Sequence, residues 1–156
     1  MSAGLLLFRP GTDGVEVLLG HMGGPFWARK DDGAWSIPKG EHGPEEDAEQ
    51  AAVREFTEEL GSPPPPGRRH PLGTVAQRGG RKQITVFALA ADFDPDDIHP
   101  GTFELEWPPK SGRTRSFPEI DRAAWFDTDT ARRKLVPAQA EFVDRLLAAN
   151  LTGATS

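Results

Sequence analysis

The sequence predicts an α/β protein, an α/β/α sandwich around a mixed central sheet. Three observations lead there. Apolar runs of strand length recur through the first two thirds of the chain, one helical segment with firm ends interrupts them, and a second helical pattern follows the last run. Strands placed between two helical segments are covered by helices on both faces.

Taken in order, residues 3–8 are an apolar run that stops at Pro10-Gly11-Thr12-Asp13-Gly14, a strong turn, and residues 15–19 form its expected hairpin partner. Residues 22–34 make a glycine-bearing loop with Phe26, Trp27, Arg29 and Lys30, which leads to a short strand at residues 35–37. A helix is expected over 44–60. Pro44 suits a first helical position, Glu45, Glu46 and Asp47 suit the positive end of the helix dipole, and Gly61 followed by four prolines after Ser62 stops the ladder. Residues 72–77 and 83–91 read as strands flanking the basic Arg78-Gly79-Gly80-Arg81-Lys82, and residues 102–107 as a further strand. Trp107-Pro108-Pro109-Lys110-Ser111-Gly112 reads as a rigid loop. Residues 123–126 are the last strand. From Thr128 the pattern turns helical, with Leu135, Phe142, Val143, Leu146 and Leu147 as its buried stripe and Pro137 dividing it in two.

Composition narrows the function. A chain of 156 residues, 37% hydrophobic and 27% charged, suits one globular domain, set at residues 1–150 with a 151–156 tail. Zero cysteines exclude disulfides, a thiol nucleophile and thiolate metal sites. Leu5-Leu6-Leu7-Phe8 is far too short for a membrane span, so a cytoplasmic protein is expected. A formal charge of −6 provides no basic field for long nucleic acid, while a small anion carrying its own cation remains compatible.

The helix at 44–60 carries the strongest chemical signal. At about 100° per residue, Glu55, Glu58 and Glu59 share one arc, while Val53, Phe56 and Leu60 gather on another face that can pack on a core. Like charges three and four residues apart repel, and carboxylates in a last turn oppose the dipole by about 0.3–1 kcal/mol each. A purely structural helix would gain by losing them, whereas a hard divalent ion needs such oxygens. Glu46, on an ideal helix, lies opposite Glu55 and is read as a brace for the preceding turn or as a partner of the dipole.

Gly40, Glu46, Arg54, Glu55, Phe56, Glu58, Glu59 and Gly61 together resemble the Nudix box, Gly-x5-Glu-x7-Arg-Glu-U-x-Glu-Glu-x-Gly-U, with U a bulky apolar residue. Fixed residues at typical usage of about 5–7% each would coincide here about once in 10⁸ starts. Ser62 in the final U position is the one departure, and Trp35-Ser36-Ile37-Pro38-Lys39-Gly40 is similar to the strand and turn that lead into the box. The resemblance implies a Nudix α/β/α sandwich and a hydrolase that uses Mg²⁺ or Mn²⁺ against a phosphoanhydride. It implies Glu58 and Glu59 as metal ligands, Glu55 as ligand or general base, and the Gly40 carbonyl as a further ligand. Arg54, one turn before Glu58, can orient a carboxylate. An acid before the last strand often completes such sites, and Glu119 occupies that place, with Glu104 and Glu106 as rivals.

Lys39, Arg78, Arg81 and Lys82 are candidates for phosphate contacts, and Trp27 for stacking on a base, whereas strand-borne Trp35 is expected in the core. The four histidines show no ligand spacing. Pro38-Lys39-Gly40 and small size resemble the dinucleoside polyphosphate and inositol polyphosphate branches, although the chain lacks the tyrosine usual in the diadenosine tetraphosphate branch. A MutT-like nucleoside triphosphate pyrophosphohydrolase, a non-catalytic nucleotide sensor and an RNA-cap hydrolase are the alternatives. The partner is a small nucleotide or polyphosphate.

Overall fold

The structure is a computed structural model and describes residues 1–12, 14–76 and 82–151. Asp13, Gln77, Arg78, Arg81 and most of the expected tail lie outside the described residues. The element order is β1 (Ser2–Gly11), β2 (Gly14–Met22), β3 (Trp35–Ser36), β4 (Lys39–Glu41), α1 (Ala48–Leu60), β5 (Arg69–Ala76), β6 (Gln83–Ala90), β7 (Thr102–Glu106), β8 (Thr114–Pro118), β9 (Ile120–Asp127), α2 (Thr128–Lys134), a 3₁₀ turn (Pro137–Gln139) and α3 (Ala140–Ala149).

Seven strands form one mixed sheet in the order β3-β2-β1-β6-β5, with β4 paired to β1 and β9 to β2. β1 and β6 run parallel; the other pairs are antiparallel. Strand alternation explains why the central runs are apolar throughout. Leu6 and Phe8 of β1, Val17 and Leu19 of β2, and Ile84, Val86 and Ala88 of β6 pack with Ala131, Leu135, Phe142, Val143 and Leu146 from the C-terminal helices. Their neighbours Ala3, Leu5, Leu7, Leu18, Phe87 and Leu89 point the other way, against Ala51, Ala52, Phe56 and Leu60 of α1. The expected sandwich is therefore present, with α1 alone on one face.

Several local expectations change. α1 begins at Ala48, not at 44, because the Asp47 side chain accepts a hydrogen bond from Gln50 N at 3.2 Å and so caps the helix, leaving Pro44 to Glu46 in the preceding turn. Its C-terminus ends as expected, with Gly61 left-handed at φ 73°. Leu147 is 40% exposed and leaves the buried stripe. β4 and β8 were not foreseen: β4 is three residues long, and Thr114 to Ser116 are exposed and polar, so neither has a burial pattern. β7 stands outside the main sheet and pairs only with β8, as a two-stranded arm. No described helix is long and apolar enough to cross a membrane.

Candidate active site

The last turn of α1 is held by the segment that precedes the arm. Gly101 N donates to Glu58 O at 3.2 Å and His99 N to Leu60 O at 2.7 Å, satisfying carbonyls that a helix end leaves free. Glu119 N then donates to Gly101 O at 2.8 Å, and Gly23 N donates to Glu119 O at 3.0 Å. This relay brings residue 119 beside α1. A Cβ on Gly23 would overlap the Pro118 carbonyl, so the close approach requires glycine.

A cavity of about 350 Å³ results, lined by Gly40, Glu41, Glu55, Glu58, Glu59, Gly101, Thr102 and Glu119. It continues into one of about 390 Å³ lined by Glu59, Glu119, Lys39, Trp27, Met22 and Phe103, among others. A third, of about 710 Å³, shares Trp27, Ser36 and Lys39 and ends at Val136, Pro137 and Gln139. One cleft thus runs from carboxylates, past a lysine, to an apolar recess.

The acids are not equivalent. Glu58 is exposed, whereas Glu55 is only 8% exposed and lies over the Gly40 backbone, where a Cβ would overlap its carboxylate. The acidic stripe and the buried side of α1, expected to be separate, therefore overlap at Glu55. Burial, then the charges of Glu119 and Glu55, pushes the Glu59 carboxyl up to about 8, with Lys39 pulling against them. Burial also raises Glu55, against the pull of Arg54.

Arg54 ties the cluster together. Its guanidinium donates to both oxygens of Glu46 at 2.7 and 2.8 Å, to Glu55 at 2.8 Å and to Glu58 at 3.2 Å. The Glu46 bonds contribute most to raising Arg54 and hold Glu46 below the ordinary carboxylate range. Glu46 reaches Arg54 because it sits in the turn before the helix; the ideal-helix position opposite Glu55 does not apply. Among the described residues, no three ligating side chains converge closely enough to chelate an ion as they stand. Two oxygens of Glu58 and one of Glu55 face Arg54 instead. The donor set nevertheless fits a hard cation. It is all oxygen, burial and then the neighbouring carboxylates raise the Glu59 carboxyl, and the Glu58 side chain is exposed.

The other sequence candidates divide. Trp27 is half-buried beside Lys39, with the Lys30 ammonium 5.3 Å from its ring. Lys82 is exposed with its ammonium 4.0 Å from Glu41, at the acidic end. Trp35 is core, donating to Asp31 at 2.8 Å. Glu104 and Glu106 are exposed on the arm and do not line the carboxylate cavity; Glu106 accepts from Lys110 N at 2.8 Å. Three contributors were missed. Glu41 lines the cavity, buried Gln139 accepts from Ile37 N at 2.8 Å, and buried His21 bonds Asp121 at 2.9 Å and Lys30 O at 2.7 Å. His21 so joins the Trp27 loop to the segment after Glu119. No spacing in the sequence signals these three, because each acts through a contact distant in the chain.

Comparison with known proteins agrees with this geometry. Among curated proteins, none matches the chain in sequence. An Ap4A hydrolase from C. elegans, solved as a binary complex, is 24% identical, with 97% of each chain covered and a TM-score of 0.61. RenU, a Nudix hydrolase from M. smegmatis, is 27% identical over 97% of this chain and 85% of its own, with a TM-score of 0.55. A MutT protein from Methanosarcina mazei is 20% identical over 96% and 94%, with a TM-score of 0.59. The family model described as NUDIX domain matches residues 1–146. With the box, the sandwich and the carboxylate cleft in one chain, the protein belongs to the Nudix family and is a hydrolase of phosphoanhydride bonds.

Proposed function

We propose that the chain is a Mg²⁺- or Mn²⁺-dependent pyrophosphohydrolase, cleaving a phosphoanhydride of a nucleoside diphosphate joined to another moiety, with a dinucleoside polyphosphate as the favoured substrate. The observation that carries this reading is the convergence of Glu55, Glu58, Glu59 and Glu119 with Gly40 on one cavity, where burial and then the neighbouring carboxylates push the Glu59 carboxyl up to about 8. Such crowding is costly unless a cation relieves it. Bound there, the ion would neutralise phosphate oxygens and acidify the attacking water.

The chain's own residues supply the rest. Glu55, Glu58 and Glu59, with the Gly40 carbonyl, hold the cation. Arg54 fixes Glu55 while Glu46 fixes Arg54, so the guanidinium keeps its place when Glu58 turns towards the ion. Glu119, outside the helix, takes the proton of the water that attacks phosphorus as the anhydride P–O bond breaks. Lys39 pairs with the phosphates, Lys82 stands at the acidic rim, and Trp27 offers a face to a base in the adjoining recess. The chain works in the cytoplasm on free nucleotides.

That recess, about 710 Å³, has room for one nucleoside and equally suits a MutT-like nucleoside triphosphate pyrophosphohydrolase. Product analysis separates the two. Diadenosine tetraphosphate should give unequal nucleotide fragments, and a triphosphate should give monophosphate plus pyrophosphate. The test is a nucleotide panel with and without Mg²⁺ or Mn²⁺, beside E58Q. Hydrolysis indifferent to chelation and to E58Q removes the metal-hydrolase reading. Tight nucleotide binding without turnover on any member makes the protein a sensor.

A further inference from the structure

We propose that the β7–β8 arm is a second anion subsite, in which Arg115 and Arg113 receive the phosphates of a leaving group that extends beyond the carboxylate cavity. The location rests on the hydrolase reading above, because the arm begins where that cavity ends.

Strand register sorts the arm's side chains by face. Phe103 lies opposite Phe117 and Leu105 opposite Arg115, and Trp107 N donates to Arg113 O at 2.9 Å. Residues directly opposite, and those two apart along a strand, share a face. One face therefore carries Phe103, Phe117, Leu105, Arg115, Trp107 and Arg113. The other carries Glu104 and Glu106.

The face that carries the arginines is the one packed on the Trp27 loop, while Thr102 of the opposite face lines the carboxylate cavity. Phe103 lines the cavity that holds Lys39, Glu59 and Glu119, and its ring stands 2.9 Å from where a Cβ of Gly24 would lie. Further out, Trp107 meets Phe26 edge to face at 5.9 Å, and Phe26 belongs to the same loop as Trp27. The arm thus leans on the Trp27 loop along its length. In a chain of net charge −6, the register gathers both arginines on the face of Phe103 and Trp107 and both acids on the opposite face.

Neither arginine is engaged elsewhere. Both are exposed, and among the described residues neither forms an ion pair, whereas Arg9, Arg54, Arg69, Arg132 and Arg145 do. At about 3.4 Å per residue, Arg115 lies ~7 Å and Arg113 ~14 Å beyond Phe103. A substrate confined to two phosphates over the carboxylates stops short of them. An oligophosphate running along the arm meets first one guanidinium fork and then the other, each suited to a phosphate.

The test is calorimetric titration of inorganic tetraphosphate and of pyrophosphate into the Mg²⁺-saturated protein, comparing wild type, R113A/R115A and R113K/R115K. Both side chains are exposed, so melting temperatures should match the wild type, and the lysine pair keeps the backbone and the charge. The alanine pair should weaken tetraphosphate by about tenfold or more while moving pyrophosphate less than about threefold, with the lysine pair between. Equal effects on both ligands, or none on either, would overturn the subsite. Unchanged tetraphosphate binding alongside a steep, salt-dependent loss of 5′-phosphorylated RNA would overturn it in favour of a nucleic-acid surface. Tetraphosphate discrimination in a protein that turns over no nucleotide keeps the subsite and removes the hydrolase reading; turnover without discrimination does the reverse.

Discussion

Glu59 is the residue on which metal, pH and stability meet. Its carboxyl is raised from 4.5 to about 8, so the folded, metal-free protein holds a proton there that the unfolded chain releases. A raised folded-state pKa gives stability that is complete below about 4.5 and is lost as pH rises through about 8. The melting temperature in chelator should therefore fall across that window, and E59Q should flatten the fall and raise the value at pH 8. A parallel pH profile for E59Q and wild type would contradict this. Because a cation needs the ionised form, Mn²⁺ affinity should rise by up to about tenfold per pH unit below 8, with proton release measurable in buffers of different ionisation enthalpy. Arg54 is the second decisive residue. R54K keeps a charge but cannot reach Glu46, Glu55 and Glu58 together, so kcat should drop by at least about tenfold, with far less change in melting temperature. Equal losses in both measurements would make Arg54 merely structural.

At the scale of elements, the site is a meeting of three pieces: the β4 turn, the C-terminal half of α1 and the strand junction at Glu119. Gly40 is where the first two touch. G40A would put a methyl where the Glu55 carboxylate lies, so that carboxylate must move from its place over the turn. The expected outcome is weakened metal binding with the fold retained, readable as Mn²⁺ affinity beside the circular dichroism spectrum. The box was legible in the sequence because its residues share one helix and one turn, where spacing translates directly into direction. Glu46 was misplaced for the complementary reason: Asp47 competes for the cap, and a helix start depends on which acid wins. The arm was half legible, since β7 alternates but β8 is defined only by its partner.

Across the whole molecule, the two helical layers carry different duties. Phe56 anchors α1 and packs edge to face on Phe93 at 5.4 Å, while Leu146 belongs to the opposite layer. F56A should cost about 3–5 kcal/mol and L146A about 2–5 kcal/mol. Under conditions where both remain folded, only F56A should weaken Mn²⁺, since α1 carries the three carboxylates proposed as ligands; equal weakening by both would deny that division. The amino-acid sequence by itself determined the sandwich, the box and the C-terminal end of α1, because apolar periodicity, charge spacing and glycine or proline at an element end act over a few residues. Only the tertiary structure decided that Glu119 stands at the carboxylates while Glu104 and Glu106 do not, that Glu55 is buried over Gly40, and that Arg113 and Arg115 share a face of the arm with Phe103. Those relations depend on hydrogen bonds and strand register between segments far apart in the chain, where neither periodicity nor spacing carries information.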